Sequence, residues 1–441
     1  MKQPTVIETA FRVRGGQALH GEIEVQRAKN AILAMLAASI VVDEGETVLH
    51  NVPNIEDVER ALELLRAIGA QVHHDKLTKT VRIDASGVNS GVLPEEIAGR
   101  FRGSVLFLAP LQIRLGYVEL PGSGGCDIGT RKIDFHHRGF ARLGANVQYF
   151  EDGRTLIDLE NGRFRGAMLY LDLPSHTGTE NLMLAASLAD GQTILENASV
   201  EPEVVDFGNF LNKMGADIQG LGANTLFING VGKLNAVEYT PMPDRLVAGT
   251  MMMACAIAGG DITIRNVDPS HLRIVSAKLE QMGVEVTSDK YSIRVRHSRR
   301  RRLNPINIQT HPYPGFPTDL QPCMAALSSL ADGTSYIRER IFDNRYDYVE
   351  ALLQMGADIL ISQSDVCIIK GVERIKPAHI SADNIRSGAT VLLAALAADG
   401  ESIIDNVYQI DRGYEVIDDL LSALGADVTR FETHMTPQPA W

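Results

Sequence analysis

A helix-ending phrase recurs six times along this chain, at Ala67-Ile68-Gly69-Ala70, Leu143-Gly144-Ala145, Met214-Gly215-Ala216, Met282-Gly283-Val284, Met355-Gly356-Ala357 and Leu424-Gly425-Ala426. The interval is roughly 70 residues, and self-similarity at a fixed period means one structural unit repeated. Each of these glycines is expected to end its helix in a left-handed cap, because Gly alone takes positive φ without steric cost. A second set of glycines turns the chain into alternating β runs, as in Asp190-Gly191-Gln192-Thr193-Ile194 and Asp399-Gly400-Glu401-Ser402-Ile403-Ile404, and Gly45 has the same placement ahead of the first phrase. Within a unit Val58, Leu62, Leu65 and Ile68 recur at helical spacing, while Val81-Arg82-Ile83-Asp84 alternates as a half-buried strand does. The fold class is therefore α/β, with helices lying on one face of each sheet.

At 441 residues the chain exceeds what one hydrophobic core usually serves, so six units divided between two cores give three per domain. Three units about a pseudo-threefold axis place their helices inward and their sheets outward, and two such bodies leave a cleft of the kind that ligands favour. The Pro-rich stretch Thr240-Pro241-Met242-Pro243-Asp244-Arg245, near the midpoint, suggests the boundary. A single N-terminal strand over residues 11–25 is expected to join the second half.

A net charge of -13 excludes a nucleic-acid coat, which needs a basic excess. The basic run Arg296-His297-Ser298-Arg299-Arg300-Arg301-Arg302 reads as a solvated loop between strands. Four scattered cysteines, Cys126, Cys255, Cys323 and Cys367, lack metal-ligand spacing and the density of a disulfide scaffold, so reduced thiols in the cytoplasm are expected. Neither a signal peptide nor a membrane span is indicated. The longest apolar stretch, residues 31–42, is too short for a bilayer, which needs about 20 residues.

Cations stand where a buried helix or turn would ordinarily be neutral: Lys29 at the head of an apolar helix, Arg102 before Val105-Leu106-Phe107-Leu108, Arg131 after a Gly-rich loop, Arg386, and Arg412 in Ile410-Asp411-Arg412-Gly413-Tyr414. Their common placement, at or near the starts of apolar helices, predicts a multiply anionic ligand, with carboxylate and phosphate both plausible. The loop Pro121-Gly122-Ser123-Gly124-Gly125-Cys126 carries a thiol with Arg131 and Lys132 nearby, which favour thiolate character, against Asp127, which opposes it. Such a group can exchange a proton or attack an electrophile. Cys255, Cys323 and Cys367 read instead as small buried hydrophobes in apolar helices. Asp319 stands where Pro312, Pro314 and Pro317 lead into another apolar helix, either as an N-cap or first-turn residue or as a stiffly held general base.

Taken in order, Ala28-Lys29-Asn30-Ala31, Gly125-Cys126-x-Ile128-Gly129-x-Arg131 with Asp134, Glu201-Pro202-Glu203-Val204-Val205-Asp206, Phe316-Pro317-Thr318-Asp319, Phe342-x-Asn344-Arg345 and Asp411-Arg412-Gly413-Tyr414-Glu415 resemble the enolpyruvyl transferases over essentially the whole chain, in particular the branch that uses UDP-N-acetylglucosamine. The resemblance implies a two-domain inside-out α/β barrel of six βαβαββ-like repeats, with residues 29–242 as the catalytic-loop domain and residues 1–28 with 243–441 as the other. It implies transfer of the enolpyruvyl group of phosphoenolpyruvate to the 3-hydroxyl of the UDP-sugar, without cofactor or metal. Cys126 would protonate the methylene carbon, and Asp319 would take the hydroxyl proton. Lys29, Asn30, Arg131, Arg386 and Arg412 would hold phosphoenolpyruvate. The UDP-sugar would meet Asn30, Arg102, Arg131, Lys132, Ile133, Asp134, Phe135, Ser175, His176, Thr177, Asp319 and Ile341. The chain departs from the family in a Cys126 loop two residues longer, in Arg27, and in His176-Thr177-Gly178 where a Val-Gly-Ala type sequence is usual. A different acceptor and a noncatalytic UDP-sugar-binding paralogue are therefore the alternatives. No macromolecular partner is implied, and the oligomeric state is left open.

Overall fold

The computed structural model describes residues 6–435 apart from 100–101, 122–133, 161, 344 and 363–364. The chain divides into two compact units, Gln26–Met242 and the combination of Met1–Val25 with Pro243–Trp441. All six phrase glycines lie at positive φ, from 86° at Gly356 to 108° at Gly215. Each follows a helix, Glu56–Ala67, Asp134–Arg142, Pro202–Met214, Arg273–Gln281, Tyr348–Gln354 or Ile417–Ala423, and each leads into the edge strand of a sheet. A residue with Cβ would be strained at all six positions.

Six sheets form among the described residues, and they share one plan. A central strand pairs in parallel with a leading strand on one side and antiparallel with a hairpin on the other. Gln192–Glu196, for example, runs parallel to Met168–Tyr170 through Ile194↔Met168 and antiparallel to Thr225–Asn229 through Ile194↔Phe227, with Asp217–Gln219 at the edge. In the sheet of Tyr117–Leu120 the leading strand shrinks to one parallel bridge, Val92↔Glu119. The last repeat is completed by the start of the chain: Val6–Arg14 lies between Glu401–Asp405 and Asp427–Met435. The region of 11–25 thus contains parts of two strands, Val6–Arg14 and Leu19–Glu24, rather than one.

Where the chain passes between units, the leading strands are exchanged. Leu19–Glu24 precedes the Lys29 helix in sequence but pairs with Gly260–Arg265, whereas Glu238–Tyr239 precedes the Arg245 helix but pairs with Glu46–Leu49.

The helices sort by pattern. Arg245–Ala258, Gln321–Ser328 and Ile385–Ala397 are buried at every position, and they pack against one another in the core of their unit. In the other unit Lys29–Ala38 is buried at every position but Asn30, and Leu108–Leu115 and His176–Ser187 are largely buried. Helices apolar on all sides belong inside. Glu56–Ala67 instead buries only the stripe that includes Val58, Leu62 and Leu65. Sheets lie outside these helices, with buried and exposed residues alternating along strands such as Thr225–Asn229.

A third periodic feature was not anticipated from sequence. Asn51, Asn197, Asn266 and Asn406 follow central strands at φ of 54° to 57°. The Nδ2 groups of Asn197, Asn266 and Asn406 donate to the carbonyls of Leu171, Val25 and Ala382 at 2.7, 3.1 and 2.8 Å, each just beyond a leading strand. One side chain thereby extends the parallel pairing after the backbone has turned away, and Asn is among the few residues that tolerate this conformation.

Two expectations need correction. Cys255 and Cys323 are buried on helices, but Cys367 is buried on the strand Val366–Lys370, where β-branched neighbours favour extension. The basic run is only partly a solvated loop. Arg296 and His297 end a strand; Arg299 donates to Ala397 O at 2.8 Å at the end of a helix, and Arg302 donates to Ala331 O at 2.7 Å. Arg299 thus satisfies an orphan carbonyl at a helix C-terminus, and Arg302 a carbonyl in the segment just beyond one. No helix among the described residues is long and apolar enough to cross a membrane.

Candidate active site

In the unit of 26–242, Lys29 opens the helix Lys29–Ala38, and no acidic residue occupies the first turn. Its Nζ donates to Asp57 Oδ2 at 2.9 Å, with both side chains buried. Asp57 itself lies in the first turn of Glu56–Ala67, where the helix dipole favours a carboxylate. Asn30 follows Lys29 and is half-buried. Arg102 opens the short 3-10 turn Arg102–Phe107, which runs into Leu108–Leu115.

Asn181 joins three of the expected segments. Its Nδ2 lies 3.0 Å from Val105 O in the Arg102 turn, 3.1 Å from His136 Nδ1 and 3.3 Å from Thr177 O, while its Oδ1 accepts from the Ala109 amide. Donation to His136 Nδ1 leaves the ring proton on Nε2, which faces Thr177 Oγ1 at 3.3 Å. Burial lowers the His136 pKa to about 3, with His137 and Arg102 adding to the effect, so this imidazole is neutral. Asp134 and Phe135 head the same helix as His136; Arg138 reaches Asp134 at 3.3 Å and lies over the Phe135 ring.

Ser175 caps the helix His176–Ser187, its Oγ accepting from the Gly178 amide at 3.1 Å. His176 stands between two carboxylates, 3.2 Å from Glu201 and 3.2 Å from the buried Glu180, the latter contact lying off the line of a hydrogen bond. Burial opposes a charged ring, but the two glutamates outweigh it and hold the His176 pKa well above its usual value. Burial likewise raises Glu180, with His176 limiting the rise.

In the other unit Asp319 sits in the turn Thr318–Leu320, directly before Gln321–Ser328. It caps no helix. Its Oδ2 accepts from Arg386 Nη2 at 2.8 Å and Nε at 3.2 Å, and its Oδ1 lies 2.8 Å from Arg345 Nη2. Both guanidinium groups are buried, and Arg386 also donates to Tyr414 OH at 3.0 Å. Arg386 is the second residue of its helix, whose cap Asn384 accepts from the Arg386 and Ser387 amides. Burial pushes the Tyr414 hydroxyl up to about 12 despite Arg386, so it stays protonated and faces Thr250 Oγ1 at 3.0 Å. The network continues from Arg345 Nη1 to Thr318 Oγ1 at 2.8 Å and from that hydroxyl to Glu339 at 2.8 Å; Glu339 also accepts from the Ile341 amide at 2.7 Å.

Arg412 differs from its expected placement. It ends the short helix Tyr408–Asp411, where a cation suits the dipole, and donates to Gln409 Oε1 at 3.1 Å. Cys126, Arg131, Lys132 and Ile133 lie outside the described residues.

Asp319, Ile341 and Arg386 are therefore joined in one hydrogen-bonded network, and His136, Thr177 and, through Val105 O, the turn that Arg102 opens in another. Asn181, Arg345 and Glu339 organise these networks without having been singled out as site residues. For Asn181 a signal existed, since Glu180-Asn181 stands directly before the apolar run Leu182-Met183-Leu184-Ala185-Ala186 and buried polar groups need partners.

The family profile described as EPSP synthase (3-phosphoshikimate 1-carboxyvinyltransferase) matches residues 13–421. The chain belongs to the enolpyruvyl transferase family. Among this family, the UDP-N-acetylglucosamine 1-carboxyvinyltransferase of Thermobifida fusca (strain YX) is 47% identical over 96% of this chain and 99% of its own. The protein of that name from Desulfatibacillum aliphaticivorans is 44% identical over 95% of this chain and 98% of its own. The crystal structure of the enolpyruvyl transferase NikO from Streptomyces tendae superposes with a TM-score of 0.85 at 24% identity, covering 98% of this chain and 100% of that one. That likeness establishes the enolpyruvyl transferase fold.

Proposed function

We infer that this chain transfers the enolpyruvyl group of phosphoenolpyruvate to the 3-hydroxyl of UDP-N-acetylglucosamine and releases phosphate. The observation that carries this is 47% identity, over nearly the whole of both chains, to a transferase named for that acceptor. The reaction is the first committed step of peptidoglycan precursor synthesis, and its location is the cytoplasm.

The chemistry assigns each residue a task. Protonating the methylene carbon of phosphoenolpyruvate makes the neighbouring carbon electrophilic, and removing the sugar hydroxyl proton makes the attacking oxygen. A C–O bond forms to give a tetrahedral ketal; loss of a methyl proton and cleavage of the bond to phosphate then restore the double bond. Cys126 is the acid of this reading, and Asp319 is the base. Lys29, Asn30, Arg131, Arg386 and Arg412 hold phosphoenolpyruvate and counter its charge as it shifts towards phosphate, which is electrostatic preorganisation. Asn30, Arg102, Arg131, Lys132, Ile133, Asp134, Phe135, the Ser175-His176-Thr177 turn, Asp319 and Ile341 receive the UDP-sugar. The fixed positions of Asp319 and Arg386 in one ion-paired group support their assignment. Residues 29–242 serve as the catalytic-loop domain, with 1–28 and 243–441 as the second.

Phosphate release from phosphoenolpyruvate, measured across UDP-sugars and shikimate 3-phosphate, tests the reading. Release is expected with UDP-N-acetylglucosamine alone. Release with another acceptor only, or tight UDP-sugar binding without release, would contradict it.

A further inference from the structure

Following the Asp319 network outward leads to a carboxylate that no step of the proposed reaction uses. Glu339 directly follows the strand Thr334–Arg338 and is 3% exposed. Its Oε1 accepts from Thr310 Oγ1 at 2.7 Å, from the Ile341 amide at 2.7 Å and from the Phe342 amide at 3.2 Å. Its Oε2 accepts from Thr318 Oγ1 at 2.8 Å. Each carboxylate oxygen has two lone pairs, so the three donors saturate Oε1 while the Thr318 hydroxyl engages Oε2. Such a group is tolerated in the interior when its lone pairs are met in this way.

The direction of the bonds matters as much as their number. Thr318 has one hydroxyl proton, and Glu339 takes it. The Thr318 lone pairs are then turned to Arg345 Nη1 at 2.8 Å, and the other terminal nitrogen of Arg345 meets Asp319 Oδ1 at 2.8 Å. Reversing any link would leave a buried donor facing a donor. A neutral amide at position 339 would set N–H groups against either the three donors on Oε1 or the Thr318 hydroxyl on Oε2.

We propose that Glu339 is a positioning residue for the acceptor side of the reaction. One of its oxygens sets the Thr318-Asp319 turn and the other sets the Ile341–Phe342 amides, so the base and the segment assigned to the sugar keep one spacing. This rests on the reading of Asp319 and Ile341 given above. Reaction rates are sensitive to such spacing, because a misplacement of about 1 Å can reduce turnover on the order of 100-fold.

The test uses the full chain with Glu339→Gln, Glu339→Asp, Thr318→Val, Thr318→Ser and the double variant Glu339→Gln/Thr318→Val, measuring kcat, KM for each substrate and the thermal midpoint. In folded Glu339→Gln, kcat should fall by at least about tenfold and KM for UDP-N-acetylglucosamine should rise about fivefold, while KM for phosphoenolpyruvate should stay within about twofold. Thr318→Val should reproduce the kcat loss with little change in acceptor KM, and Thr318→Ser should restore it. The double variant should be no slower than the slower single one, because both changes cut one chain of bonds. A folded Glu339→Gln protein with only a lower thermal midpoint, or losses that multiply in the double variant, would overturn the proposal. Should Glu339→Gln fail to fold, Glu339→Asp and the two Thr318 variants decide by the same kcat and KM criteria. An unmodified chain inactive with UDP-N-acetylglucosamine would defeat the proposed function and this inference with it, whereas an active one with unchanged variants would defeat this inference alone.

Discussion

Asp319 accepts from Arg345 and Arg386, so substitutions there separate chemistry from packing. Asp319→Asn should keep the fold but lower phosphate release by about 10²- to 10⁴-fold, the range of a general base. Asp319→Ala should in addition lower the thermal midpoint, because it strands two buried guanidinium groups; breaking such a pair costs on the order of 3 kcal/mol. A second test concerns His176, whose pKa the two glutamates hold well above its usual value against burial. A raised folded-state pKa gives stability that is whole below the ordinary imidazole value, near 6.5, and is lost as pH climbs through the elevated one. Thermal melts should therefore fall more steeply from pH 7 towards alkaline pH in the parent than in His176→Gln, and equal slopes would contradict the charged ring. Lys29, Arg386 and Asp319 were legible in sequence because charge stands out against apolar neighbours. Asp57 and Glu339 were not, since each acquires its partner from a separate segment of the chain.

Helices and strands repeat the same contrast. The six capping glycines were readable because their requirement is local: only a residue without Cβ turns the chain there without strain. The asparagines after the central strands escaped notice, because their value lies in a bond to a neighbouring strand. Other glycines are fixed by packing. A Cβ on Gly249, in the buried helix Arg245–Ala258, would stand 2.4 Å from Leu320 Cδ1. Gly249→Ala gains about 1 kcal/mol of helix propensity but incurs overpacking of about 1–3 kcal/mol, so net destabilisation is expected as a lower urea midpoint. Arg299 and Arg302 belong to this level too, since a run that reads as solvated charge supplies donors to carbonyls near helix ends.

Over the molecule as a whole, six sheets of one plan among the described residues account for the repeat, and two chain crossings account for the exchange of its leading strands. Ligand linkage gives a test at the same level. At 100 times its dissociation constant, UDP-N-acetylglucosamine should stabilise the folded chain by about 2.7 kcal/mol, seen as a rise in thermal midpoint that shikimate 3-phosphate does not produce. Repeat number, the glycine caps, the choice of buried against amphipathic helices and the family motifs are all properties of short stretches, and the order of residues sets them directly. Exchange of the leading strands at Leu19–Glu24 and Glu238–Tyr239, completion of the last sheet by Val6–Arg14, and the partners of Asp319 came from folding alone. Strand pairing and buried ion pairs join residues up to several hundred positions apart, and periodicity within a segment says which face is buried but not which distant segment covers it.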